Sequence, residues 1–320
     1  MIKKSSFQAF VIFILLTINF SSANLGFSSA VTLSYSFEKI SSINTNGETV
    51  NVIIEGDTAY ALDSTDNNPG GLVIIDISDL YNPTKISSYY DGGNPYELIL
   101  KDNCVLIADG ADGLEIINVT YLENPIEIYQ YPVNNYCTDI ELVGDLLYVA
   151  NWDLGLEIFN VSDLENPYKI KSYNSNYLNC LQITIEGNLA VVTDHRNDYT
   201  SLVLLNITNP TSPQYITQYV KTDADFWDPI LHNNYLFVGN HAINGGEMQI
   251  LNVTEPSDIS LVSKYDQGGS IFSITFNDSI AFISNRNKGV EVVDVSDLLN
   301  PIRIGRFDDG GEAKKITIKK

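Results

Sequence analysis

Positive charge is scarce in this 320-residue chain: 18 lysines and arginines stand against 40 aspartates and glutamates, for a formal net charge of −22. So acidic a surface repels nucleic-acid phosphates and anionic lipid headgroups, which excludes both as expected partners. Histidine is limited to His195, His232 and His241. His-Glu-x-x-His, Gly-x-Ser-x-Gly, Cys-x-x-Cys and a phosphate-cradling glycine loop are all missing, so no standard motif for metalloproteolysis, serine hydrolysis, dithiol chemistry or nucleotide binding is present. No amphipathic helix is found beyond the first 30 residues. Cysteine occurs three times, an odd number that leaves at least one thiol unpaired within the chain. Cys137 and Cys180 fall at matching places in adjacent units. They read either as a disulfide, which needs Cα atoms within about 7 Å, or as two buried thiols; Cys104 should be free.

Long apolar runs are also few. One lies between Phe10 and Phe20, preceded by Lys3 and Lys4 and followed by small residues at Ser21-Ser22-Ala23 and Ser28-Ser29-Ala30. This is the pattern of a secretory signal peptide over residues 1–30, with an uncleaved anchor as the alternative, and it predicts an extracellular or cell-surface protein. No later stretch is long and apolar enough for a transmembrane segment, and residues 31–320 read as one domain.

What is present is repetition. The run Gly71-Leu72-Val73-Ile74-Ile75-Asp76-Ile77-Ser78 returns at 113–120, 155–162, 201–208, 247–254 and 289–296. Its marker residues are Asp76, Asn118, Asn160, Asn206, Asn252 and Asp294, spaced by 42, 42, 46, 46 and 42 residues. Around each marker lie short runs of Ile, Val, Leu and Tyr bounded by Gly, Asn, Asp and Pro, the chemistry of strands and turns. A period of about 40–45 residues made of four short strands predicts an all-β fold, a β-propeller of four-stranded antiparallel blades. Most units end their third strand in Asp-Leu-x-Asn-Pro or a variant, as at 79–83, 163–167 and 297–301, where proline suits a turn and would interrupt a ladder.

The Leu-Val-Ile-Ile-Asp core with its downstream Asn-Pro resembles the LVIVD-repeat family of secreted propellers, over roughly residues 35–320. The strand order is similar to that of WD40 repeats, although the Gly-His and Trp-Asp signature is missing. The resemblance implies fold and surface location and supplies no catalytic residue. Six units are complete. Residues 37–43 resemble a fourth strand and 310–318 a first strand, so pairing the termini predicts seven blades with a thin last one; six blades with the extra strands docked outside is the alternative.

Aligning the units exposes a polar column at the end of the second strand: Asp63, Asp109, Asn151, Asp194, Asn240 and Asn285. These residues are expected to ring the central opening, as turn acceptors or, for Asp63, Asp109 and Asp194, as oxygen ligands for calcium; no other cofactor is expected. The same face should carry Trp152, Trp227, Tyr96, Glu97, Tyr136, Asp139, Tyr177, His195, Arg196, Tyr199 and His241, a mixture suited to stacking on sugars or anchoring a protein. His195 and His241 could also meet there over a metal. Asn118, Asn160, Asn206, Asn252 and Asn277 each begin an N-glycosylation pattern on the opposite face. Because Asp76 and Asp294 occupy the same register, a turn acceptor is required there first and a glycan second. The leading functional reading is a non-catalytic extracellular module that binds a protein or glycan; oligomeric state is open. The alternative is a carbohydrate hydrolase or lyase using Glu97, Asp139 and Asp228.

Overall fold

The computed structural model describes residues 10–25, 28–65, 68–131, 136–174, 178–196, 200–221, 225–240, 246–266, 268–286, 288–308 and 310–319, with side chains from residue 38 onward except 65, 68 and 69. Tyr177, Tyr199 and His241 lie outside these residues.

Six four-stranded antiparallel sheets follow one another along the chain, spanning 48–90, 97–131, 137–173, 180–221, 226–266 and 271–307. In each blade the strands lie side by side in sequence order, as the spacing predicts. The first strands of blades one to six touch in succession and form the inner wall of the ring. Every fourth strand pairs with its third through a register irregularity at an equivalent place, for example Glu127/Tyr129 in blade two and Ile158/Phe159 in blade three. Such bulges increase local twist and let the outer strand curl away from its neighbour.

The core lies between blades, because each sheet has two apolar faces and can cover them only with the sheets beside it. Tyr60, Leu72 and Ile74 of blade one pack with Leu98, Val105 and Ile107 of blade two. Cys104 and Leu106 of blade two meet Cys137 and Val149 of blade three, and the pattern continues to blades five and six, where Met248 meets Ile274 and Ile283. Cys104, Cys137 and Cys180 are all buried free thiols, which decides against the disulfide.

The ring closes differently from the seven-bladed expectation, which is corrected here to six blades. Blade one's remaining apolar face, with Ala59, Val73, Ile75 and Ile77, is covered by Ile40 and Ile43 rather than by blade six. Those residues belong to the strand Ser28–Asn44, which pairs with Phe10–Leu25 as a two-stranded hairpin and lies against the outer strand of blade six. The residues at 312–319 pass between blades six and one with a single bridge, Arg286 to Ala313. Ser284 Oγ donates to the Lys314 carbonyl at 2.8 Å, and Lys319 pairs with Asp57 at 2.9 Å. The two terminal segments do not form a common sheet, because nothing supplies the second and third strands that would connect them. They fill the gap as a wedge.

Candidate functional site

Side chains of the first strands converge on the axis. Here the ladder between first and second strands is irregular at Thr49/Asn51, Cys137/Asp139, Cys180/Gln182, Trp227/Ile230 and Ile271/Ser273, five blades of the six. A bulge re-aims the residue after it, and Asn51, Asp139 and Gln182 each lie just past one. Asp228 adopts φ of 46°, a left-handed conformation that aspartate tolerates better than most residues.

The resulting belt is stitched across blades. Asn51 Nδ2 donates to Glu97 Oε1 at 2.7 Å. The Ile183 amide donates to Asp139 Oδ2 at 2.8 Å, the Asp228 amide to Gln182 Oε1 at 2.9 Å, and the Ile274 amide to Asp228 Oδ2 at 2.7 Å. Lys315, from the C-terminal segment, enters this belt and places its Nζ 3.1 Å from Glu97 Oε2 and 3.5 Å from Asp228 Oδ1. Burial alone would lower the lysine pKa, but Asp228, Glu97 and Asp139 together hold it well above the ordinary lysine range. Burial and then the neighbouring Glu97 push Asp139 well above the carboxylate range, and the same two causes push Glu141 up to about 7. The structure therefore brings Glu97, Asp139 and Asp228 together, as the hydrolase alternative needs, but their oxygens are engaged by backbone amides and Lys315. Lys315 was missed because its position depends on how the ring closes.

The polar column does not ring this channel. Asp63, Asp109, Asn151, Asp194, Asn240 and Asn285 are buried, and most tie the second strand to the loop entering their blade. The Asn179 amide donates to Asp194 Oδ1 at 3.0 Å and the Asp225 amide to Asn240 Oδ1 at 2.9 Å; Thr49 Oγ1 donates to Asp63 Oδ1 at 3.0 Å. This corrects the expected placement and keeps the expected turn role. Asp194 is further paired with Arg196 at 2.8 Å, so its oxygens have protein partners in place of the proposed calcium.

The aromatic rim is partly assembled. Tyr96 and Tyr136 are 40% and 46% exposed on the face where second strands turn into third strands. The Trp152 amide donates to the Tyr136 carbonyl, and the Trp152 ring lies 5.8 Å from His195. His195 Nε2 is 3.2 Å from Asp225, and that hydrogen bond raises the imidazole pKa. Trp227 is drawn away from this arc: it is half-buried and meets the Phe272 ring of blade six edge-on, at 6.3 Å.

On the opposite face, Asn118, Asn160, Asn206 and Asn252 each accept a hydrogen bond from the amide two residues on, at 2.9, 3.0, 2.9 and 2.9 Å. Asp76 and Asp294 do the same at 2.8 Å, so the turn requirement inferred from the repeat holds in all six blades. Asn277, at the end of blade six's first strand, is exposed.

The LVIVD repeat profile matches residues 46–91, 135–175, 180–221 and 268–309, which are blades one, three, four and six. The chain belongs to the LVIVD-repeat family. Blades two and five are the ones outside the matched segments. No curated protein sequence matches the chain. Among solved structures, this LVIVD-repeat protein is similar to a protein from Lactobacillus plantarum at 13% identity and a TM-score of 0.71, covering 95% of this chain and 97% of that one. It is also similar to a putative 6-phosphogluconolactonase from Bacteroides uniformis at 11% identity and a TM-score of 0.74, covering 94% and 98%. BamB from Moraxella catarrhalis gives 14% identity and a TM-score of 0.57, covering 86% and 78%. At these identities the likeness shows the propeller fold alone. Among the described residues no helix is long and apolar enough to cross a membrane.

Proposed function

We propose that this LVIVD-repeat propeller is an extracellular, non-catalytic binding module that engages a protein or glycan partner through the face carrying Tyr96, Tyr136, Trp152 and His195. The observation that carries this reading is the continuity of that arc. Two exposed tyrosines adjoin a half-buried tryptophan that is backed by a histidine held by Asp225. Rigid blades present these rings on loops, so the contact surface is formed before a partner arrives and little ordering entropy is lost on binding. The leader at 1–30 would export the chain, and glycans on the asparagines of the opposite face would leave the aromatic face open.

The carbohydrate-cleaving alternative is less well supported. A retaining or inverting pair needs one carboxylate free to attack or to activate water, whereas Glu97, Asp139 and Asp228 accept from Asn51, Ile183 and Ile274 and surround Lys315. The binding reading is tested by glycan arrays and surface-protein pull-downs with the chain beside Trp152→Ala/Tyr136→Ala. Loss of at least about tenfold in affinity is expected for a central aromatic pair. A partner retained at full affinity by the double variant would remove this face from consideration.

A further inference from the structure

Three positions recur in the same register in every blade: the residue near the end of the second strand, the third-strand residue in the register of Glu115, and the second residue of the fourth strand. In blade three these are Asn151, Glu157 and Lys169. The buried Glu157 accepts from Asn151 Nδ2 at 3.1 Å, Lys169 Nζ at 2.9 Å and Ser172 Oγ at 3.1 Å. Blade six repeats the device with Asn285, Glu291 and Arg303, with Arg303 3.1 Å from Glu291. Blade one places Lys85 with Asp63 and has Val73 at the middle position. Blade four neutralises Asp194 with Arg196 and has Val203 and Tyr215. Blade five, with Asn240, Gln249 and Leu261, has no charge at the three positions.

Blade two breaks the rule. Its three residues are Asp109, Glu115 and Glu127, so an aspartate replaces the asparagine and a glutamate replaces the cation. Asp112 from the following turn and Asp91 from the loop entering the blade add two more carboxylates. Oxygens of Asp109, Asp112 and Glu115 all lie within 4.8 Å of one another, as do those of Asp91, Glu115 and Glu127. Asp109 and Glu115 are each 1% exposed. Among the described residues none of the five forms an ion pair with a lysine, arginine or histidine. Glu115 receives Gln130 Nε2 at 3.2 Å and Glu127 receives the Tyr89 hydroxyl at 2.8 Å. Asp109 Oδ1 is buried without a hydrogen-bond partner, as are Asn151 Oδ1 and Asn285 Oδ1 in blades three and six, but there the oxygen belongs to a neutral amide beside a cation-compensated glutamate. Two buried carboxylates with an orphaned oxygen, where the sister blades supply an amide and a cation, are relieved either by a proton held between them or by a counter-charge from outside the chain.

We propose that blade two holds a calcium ion, bound by Asp109, Asp112 and Glu115, with Asp91 and Glu127 completing the negative charge around it. Calcium fits the donor set because it takes six to eight oxygen ligands at about 2.3–2.6 Å and accepts irregular geometry, so oxygens separated by up to roughly twice that distance can share one ion. Magnesium demands a tighter octahedron and retains its waters. The ion replaces Lys169 and Arg303 in function: it neutralises the buried glutamate and ties the second, third and fourth strands to the loop arriving from blade one.

The test is calorimetric titration of calcium chloride into the chelator-treated chain, together with its melting temperature with and without calcium. The wild-type chain should bind calcium and melt about 5 °C higher at a hundredfold excess over Kd. Asp109→Asn/Glu127→Lys, which rebuilds the pattern of blade three, should fold, lose at least about a hundredfold in calcium affinity and melt independently of the metal. Should that variant fail to fold, Asp112→Asn in the turn should still weaken binding at least about tenfold. Absence of a calcium effect on the wild type, an equal effect in these variants, or an equal response to magnesium would overturn the assignment.

Discussion

Lys315 Nζ lies 3.1 Å from Glu97 Oε2, a residue 218 positions earlier in the chain, and so joins the C-terminal segment to the inner wall of blade two. Lys314 and Lys319 of the same segment pair with Glu48 and Asp57 of blade one, and Arg286 of blade six pairs with its Glu312. A ring whose first and last blades do not share an apolar cluster is thus closed partly by charge.

Removing the central cation should therefore weaken closure. Lys315→Met leaves Glu97 and Asp228 facing each other without the cation between them, and unfolding in urea should show a loss of about 2–3 kcal/mol. Lys319→Met, whose partner Asp57 is 70% exposed on its side chain, should change stability by less than about 0.5 kcal/mol. Equal effects of the two would refute a special role for the channel lysine.

Stability should also depend on pH in a direction set by Glu141. Its carboxyl ionises at about pH 7 in the folded chain, against about 4.3 for an unperturbed glutamate. The folded state therefore holds a proton that the unfolded state has already lost. The stability associated with that proton is complete below about pH 4 and falls as pH rises through 7. Melting curves with chelator present should show lower stability at pH 8 than at pH 5, and Glu141→Gln should flatten the slope. An unchanged slope in that variant would place the dependence elsewhere.

The asparagines of the third-strand register separate two requirements. Asn160 Oδ1 accepts from both the amide and the hydroxyl of Ser162, at 3.0 and 2.6 Å. Asn160→Ala should cost about 1 kcal/mol through the lost turn. Asn160→Asp should remain within about 0.5 kcal/mol, since aspartate already fills this role at Asp76 and Asp294, yet it cannot carry a glycan. Thermal melts of the unglycosylated variants measure the first effect, and intact mass after expression in a glycosylating host measures the second.

The thiols should be indifferent to redox conditions. Cys104, Cys137 and Cys180 are buried, and burial raises the pKa of each, which suppresses the reactive thiolate. Melting with and without a reducing agent should coincide, and thiol-directed labelling should proceed only on unfolding. Labelling of the native chain would show that one of them is accessible.

Six repeats, their four strands, the turn acceptors from Asp76 to Asp294 and the absence of catalytic motifs are local properties. Spacing, alternation and turn chemistry act over a few residues, so the amino-acid order alone determines them. It also placed Glu97, Asp139 and Asp228 among the candidates, because all occur at or near the start of first strands. Tertiary structure decided what those residues meet. The register irregularities in the first strands turn Asn51, Asp139 and Gln182 toward the axis, and no local pattern marks a bulge of one residue. Closure put Lys315 among the acids and left the termini as a wedge, because Ile40 and Ile43 covered the apolar face that a seventh blade would have occupied. The carboxylates of blade two are unbalanced where the same registers of blades three and six carry an amide and a cation. Charge compensation is a property of atoms a few ångströms apart, and Asp109, Glu115 and Glu127 become neighbours only when three strands pair.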